Sequence, residues 1–251
     1  MSRGLLCRTA KEAEHQISSF MNLERGPGRW RVRETTITDV ILSRLYPLRS
    51  NKFYIDVSNE ITTGADLDII FTESAGGKLR TAIFCLQAKR SDRSSGLAPY
   101  WYYKEIFHPN NTGSQCKGLV SYCNSIHANP FYLFYHSQDC AKATGANPVS
   151  ICRAEEVKKE SYIKYDTNNR RVDRYLHQST PFHKIFCVDN LEVLIEAFGI
   201  GNEDLIVRTE QVEAVAEGVR QRRRRSSRAT LVFGPEELIS RLRASSTQQE
   251  P

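Results

Sequence analysis

The sequence predicts an α/β domain in which a mixed central sheet is flanked by helices and followed by a helical C-terminal extension. Three observations predict it. Apolar residues recur at helical spacing in two N-terminal segments, strand-like segments with period-two alternation follow, and another helix precedes one more apolar strand. The core order read this way is α, β, β, β, α, β. A chain of 251 residues holds one such domain plus an appendage, and we place the domain at residues 1–200 and an arginine-rich extension at 201–251.

The first helix runs from about Thr9 to Leu23, with Ala10, Ala13, Ile17, Phe20 and Met21 on its inner side, and ends at Arg25-Gly26-Pro27-Gly28. Glu34 to about Tyr46 forms a second helix with the stripe Ile37, Val40, Ile41 and Leu45, stopped by Pro47. Glu34 lies on the side of that stripe, so its carboxylate points toward the core or its rim. Strands are expected at Phe53–Val57, Ala65–Thr72 and Leu79–Lys89, the last two joined as a hairpin through the glycine-bearing loop Glu73–Lys78. From Arg90 to Thr112 the chain reads as a long loop carrying the aromatic run Tyr100-Trp101-Tyr102-Tyr103. A helix from about Gln115 to Ile126 and a strand at Phe131–Tyr135 complete the core. Ala154–Glu160 reads as a short helix, Lys184–Val188 as a strand and Leu191–Phe198 as a helix. Beyond Gly201, helices are expected from about Glu203 through Arg220 and at Pro235–Leu242.

Composition narrows the class. With 40% hydrophobic and 25% charged residues the chain is neither disordered overall nor embedded in a membrane, and no apolar run approaches the ~18–20 residues that span a bilayer. The expected address is the cytoplasm. Seven cysteines without a Cys-x-x-Cys pair fit neither a zinc ribbon nor a disulfide framework, so reduced, buried thiols are expected. A net charge of +6 favours a polyanionic partner.

One constellation carries chemistry. Alternation puts Gln87 and Lys89 on one face of the third strand, and Asp66 and Asp68 on one face of the second. If the two strands pair through the glycine turn, these residues converge on one patch. Phosphodiester hydrolysis needs such a patch: oxygen ligands to hold Mg²⁺ against a phosphate oxygen, an activated water, and a cation near the developing charge. The competing reading is an ordinary solvated sheet face, and for Glu34 an acid favoured by the helix dipole.

The segment Gly64-Ala65-Asp66-Leu67-Asp68-Ile69, followed by Cys85-Leu86-Gln87-Ala88-Lys89-Arg90, resembles the core of the restriction-endonuclease-like PD-(D/E)XK nuclease superfamily over roughly residues 30 to 136. It is similar to an uncharacterised group of bacterial domains with these Gly-Ala-Asp and Gln-Ala-Lys words. The resemblance implies a restriction-endonuclease-like fold and a metal-dependent phosphodiesterase acting on DNA, as an endonuclease rather than an exonuclease, in a setting such as bacterial restriction or phage defence. Asp66, Gln87, Lys89 and Glu34 take the catalytic roles. Asp66, Gln87, Glu34 and Asp68 are the candidate ligands of Mg²⁺, which Mn²⁺ could replace.

The sequence departs from the common motif in carrying Gln87 where the family more often has glutamate. A neutral amide oxygen there lowers the charge on the metal site, and Glu34 and Asp68 are placed to compensate. Gln115 and Arg90 are expected to support the site or touch nucleic acid, Gln115 by a hydrogen bond to Gln87, Lys89 or DNA. The aromatic run can stack on bases or seal the core, and Arg222–Arg225 can meet phosphates or form a solvated helix end. His108, His127, His136 and His183 show no ligand spacing. No membrane partner is expected, and a homodimer is compatible with the sequence. Two alternatives remain: a non-catalytic nucleic-acid-binding module keeping the nuclease fold, and an interaction or scaffold protein.

Overall fold

The structure, a computed structural model, describes residues 3–22, 32–48, 53–58, 60–75, 78–95, 97–107, 114–161 and 167–200. Its helices and strands are α1 (Arg3–Asn22), α2 (Glu34–Leu45), β1 (Phe53–Val57), α3 (Glu60–Thr63), β2 (Leu67–Ala75), β3 (Lys78–Arg93), β4 (Trp101–Tyr103), α4 (Ser114–Ser125), β5 (Asn129–Tyr135), α5 (Gln138–Thr144), β6 (Val149–Arg153), α6 (Ala154–Ser161), β7 (Ser179–Pro181) and α7 (Leu191–Ala197). Turns of 3₁₀ helix at Thr167–Arg170, Val172–Gln178 and Phe182–Phe186 complete it.

The strands form a seven-stranded mixed sheet in the order β1-β2-β3-β5-β6-β7, with β4 on the edge of β3. Only β3 and β5 run parallel. A parallel neighbour requires a crossover, and the chain supplies one in α4. The expected β2–β3 hairpin forms, but its strands run into the expected loop, with Ala75 opposite Lys78, while Gly76 and Gly77 lie outside the described residues.

Alternation sorts the sheet into two apolar layers. Leu67, Ile69, Phe84, Leu86, Phe131 and Leu133 pack under α1, α2 and α7; Ile70, Ile83, Cys85, Tyr132 and Phe134 pack under α4 and α6. Every residue of β5 is buried, as befits a central strand covered on both faces. Among the described residues no helix is long and apolar enough to cross a membrane.

Several expectations are corrected. α1 starts six residues before Thr9 and buries Leu6, whereas Phe20 stays 37% exposed, on the solvent side of the helix. In α2, Ile37, Ile41 and Leu45 are buried as expected, but Leu42 is more buried than Val40. The segment Lys184–Val188 is not a strand: Phe182–Phe186 is 3₁₀, which turns Phe182, Ile185 and Phe186 into the core. Much of the expected Arg90–Thr112 loop is ordered, since β3 continues to Arg93 and pairs there with β4. Within the aromatic run, Tyr103 seals the core, stacked on Phe134 at 4.2 Å and bonded through Oη to His136 Nε2 at 2.6 Å. The expected C-terminal helices, with Arg222–Arg225, lie outside the described residues.

One cysteine pair also departs from expectation. Cys7 on α1 and Cys187, just past the last 3₁₀ turn, form a disulfide across a sequence separation of 180. The other five, Cys85, Cys116, Cys123, Cys140 and Cys152, are free and buried. Beside the bridge the buried Glu14 carboxylate accepts from the backbone amide of His183 at 2.6 Å and lies 2.9 Å from its Nδ1, so α1 is pinned to the same turn twice. Closing so long a loop removes chain entropy from the unfolded state, worth at most about 5 kcal/mol. Reducing the bridge, or the substitution Cys7→Ser, should therefore lower Tm by several degrees or more. Thiol labelling of the unfolded, unreduced protein should find five reactive cysteines; seven would remove the bridge from the structure.

Candidate active site

β3 outruns its neighbour. β2 begins at Leu67, opposite Leu86, and the amide of Asp66 donates to Leu86 O at 2.8 Å. Past that point the edge of β3 has no strand beside it among the described residues until β4 takes it up at Ser91–Arg93. Two amides face the gap, and side chains satisfy both. Asp66 Oδ2 accepts from the Ala88 amide at 2.8 Å, and Glu34 Oε1 accepts from the Arg90 amide at 2.9 Å. Amides two residues apart on a strand are separated by about 7 Å, so the two carboxylates occupy neighbouring positions on one strand edge, with Lys89 between their anchor points.

The residues arrive from three directions. Glu34 is the first residue of α2, which covers one face of the sheet. Gln87 and Lys89 alternate with Leu86 and Ala88 and so emerge on the opposite face, toward α4. Asp66 ends a loop pressed against α4, one residue before β2, since the strand expected from Ala65 begins only at Leu67. There Gly64 has φ +70°, and a Cβ on it would sit 2.8 Å from Leu119 N and 3.0 Å from Gln115 O. Glycine is required by both the backbone angle and the approach. Ser58 and Thr63 bond side chain to side chain at 2.9 Å, and Thr63 Oγ1 accepts from the Ala65 amide at 3.0 Å, which fixes the loop just before Asp66.

Gln87 and Lys89 are 1% and 2% exposed. The Gln87 carboxamide donates through Nε2 to Asp66 Oδ2 at 2.6 Å. That leaves Gln87 Oε1 buried with no hydrogen-bond partner among the described residues, an uncommon condition for a buried polar atom.

Burial dominates the electrostatics. The Asp66 carboxyl is pushed up to about 7 by burial and by the nearby Glu60 and Glu34, against the Ala88 amide and the charge of Lys89. Glu34 is raised by burial and by Glu105, opposed by Lys89 and by the Arg90 amide and guanidinium. Lys89 thus offsets part of the charge on both carboxylates. A groove of about 390 Å³ opens beside Glu34, with Arg33, Lys104 and Glu105 on its walls.

The structure brings together Asp66, Glu34, Gln87 and Lys89. It does not bring Asp68 to them. Asp68 emerges on the face of Gln87 and Lys89, but it pairs with Cys85 deeper in the sheet and is 1% exposed, with the Cys85 thiol as a side-chain partner. Gln115 bonds neither Gln87 nor Lys89; its amide donates to Glu60 at 2.5 Å. Arg90 is 8% exposed and binds Val32 O and, at 2.6 Å, Asp92, so it clasps the segment before α2 to β3 rather than reaching for nucleic acid. Sequence reasoning missed the influence of Glu105, which no local pattern marks, and gave Glu60 to a turn cap, whereas it begins α3 and raises the Asp66 carboxyl. His127 lies outside the group, and His136 is a buried structural residue held by Tyr103 and by Asn147 O. His108 is outside the described residues. Among the described residues no cluster of three or more His, Cys, Asp or Glu side chains could hold a metal ion.

A family model matches residues 6–249, nearly the whole sequence. The chain belongs to DUF6615, a family of unknown function. No curated protein matches it. The DUF6615 match runs through both the described domain and the stretch after residue 200, so the family unit includes the two together.

The raised Asp66 pKa has a consequence for stability. An acid whose folded pKa lies above its unfolded value contributes stability that is fully present below the unfolded pKa, near 4, and is lost as pH rises through about 7. In EDTA, Asp66→Asn should therefore leave Tm nearly unchanged near pH 4 and raise it by several degrees near pH 8, about 1–2 kcal/mol once solvent screening is allowed for. Thermal melts across that range check this, and a Tm difference independent of pH would contradict it.

Proposed function

We propose that this protein is a metal-dependent nuclease of the PD-(D/E)XK type that hydrolyses phosphodiester bonds in DNA. The observation that carries the reading is the pair of carboxylates, Asp66 and Glu34, set on adjacent edge amides of one strand with Lys89 between them. Supporting it is the arrangement around them: three antiparallel strands, then a helical crossover to a strand parallel with β3.

The donor set suits a hard divalent cation. Asp66 and Glu34 would hold Mg²⁺, or Mn²⁺, through carboxylate oxygens. The buried Gln87 Oε1, without a hydrogen-bond partner, is the further oxygen at hand, and turning its carboxamide over would exchange the N–H now given to Asp66 for that oxygen. When bound, such an ion neutralises phosphate charge and lowers the pKa of an attacking water. The chain's own residues do the rest. β3 fixes the spacing of the carboxylates, Lys89 places positive charge where the phosphate becomes more negative, and burial makes that charge count for more than it would in water.

Supercoiled plasmid should be nicked or linearised in Mg²⁺ and untouched in EDTA. Asp66→Ala and Lys89→Ala should each lower the rate by roughly 10²–10³-fold or more while folding is retained. Full activity in either variant would refute the assignment.

A second reading, a nucleic-acid-binding module without catalysis, is favoured by one observation: Gln87 now donates to Asp66 and adds no charge to a set of only two carboxylates. Salt-dependent DNA binding without cleavage in any divalent metal would select it.

A further inference from the structure

Beyond the candidate centre, β3 leads into a second concavity. A cleft of about 590 Å³ lies between the β3–β4 hairpin, α5 and the start of the 3₁₀ turn at Val172–Gln178, lined among others by Arg93, Tyr100, Trp101, Asp139 and Arg171. Its aromatic wall is held in place. The amide of Ser94 donates to Tyr100 O at 2.9 Å, and the Tyr100 amide donates back to Ser94 Oγ at 2.8 Å. Arg171 lies over the Tyr100 ring, 5.4 Å from its centroid, and is bound through Nε and Nη2 to both carboxylate oxygens of Asp173 at 3.1 and 2.8 Å. Arg171 and Asp173 therefore form a neutral pair that braces the ring. Arg93 is different: it is exposed, on β3, opposite Trp101 in the register, and bonds no described side chain.

This combination fits a nucleobase. Two half-buried rings, Tyr100 and Trp101, offer stacking surface, and Arg93 offers an exposed cation for a phosphate. Arg93 and Lys89 lie on the same strand and share its alternation, about 13 Å apart. A strand with its phosphate at Lys89 would reach the cleft within a few nucleotides.

We infer that the cleft takes the base of an unpaired nucleotide, so that the substrate is single-stranded or locally melted DNA. This rests on the nuclease reading for the strand that runs on to Lys89, and on the geometry of the cleft for the base.

The test uses the full chain in EDTA, with a short single-stranded oligonucleotide carrying one 2-aminopurine, the same oligonucleotide with an abasic site at that position, and a matched duplex. The single strand should bind more tightly than the duplex. Tyr100→Ala should weaken it roughly 5- to 100-fold and abolish the change in 2-aminopurine fluorescence, and the abasic site should weaken wild type by a similar factor but Tyr100→Ala little. Because Tyr100 is half-buried, the exposed variants Arg93→Glu and Ala143→Glu, the latter on the rim of the cleft, serve as independent blocks and should also weaken binding. Equal affinity for single strand and duplex, or unchanged binding in Arg93→Glu and Ala143→Glu, would overturn the inference. Cleavage in Mg²⁺ separates the two proposals. Base-dependent binding without cleavage sinks the nuclease reading alone, whereas cleavage with no effect of the cleft variants sinks this one alone.

Discussion

The hydrogen bonds from the Ala88 and Arg90 amides to Asp66 and Glu34 are the constraint on which the rest of the site depends. β3 is 16 residues long and β2 only nine, so part of its edge must be satisfied by something other than a strand. A buried amide left unpaired costs about 1–3 kcal/mol, and water is one remedy. This protein uses acids from two distant segments. Each acid then fixes its own element: Glu34 ties the start of α2 to the sheet, and Asp66 requires the loop through Gly64 to press against α4. Arg90 reinforces the arrangement by clasping Val32 O from the same strand.

Burying two acids side by side is unfavourable in itself, which is why both pKa values rise. A satisfied sheet edge could have been made with neutral acceptors. The choice of two carboxylates, with an ammonium on the intervening residue, is what the proposed metal-dependent centre would require. Burial of two carboxylates that one ammonium only partly offsets is the feature that most favours chemistry over mere edge capping.

Much of this was legible in the sequence because period-two alternation and helical stripes survive folding where an element is long or its turns are sharp. β1 and α2 fall where the pattern puts them, and so do Gln87, Lys89 and Glu34, whereas Asp66 lies in the bend just before β2 instead of on the expected strand. Depth was not legible. Asp68 shares the face of Asp66, yet alternation says nothing of how far along the sheet the covering helix reaches, and α4 buries it beside Cys85. Nor could Lys184–Val188 be told from a strand, because a 3₁₀ turn places Phe182 and Ile185 inward at a spacing that a short apolar run does not reveal. Polar residues at Arg90–Arg93 looked like a loop because edge pairing with β4 leaves no apolar signature. The Cys7–Cys187 bridge joins positions with no local signal at all.

The most direct measurement is anomalous diffraction from crystals of the protein soaked in Mn²⁺ near pH 8, above the raised Asp66 pKa of about 7. A peak bound by carboxylate oxygens of both Asp66 and Glu34, lost in Asp66→Asn, is the result expected of a metal-dependent centre. Full anomalous occupancy elsewhere, or none at the edge of β3 at millimolar Mn²⁺, would show the carboxylates to be caps for a strand and nothing more.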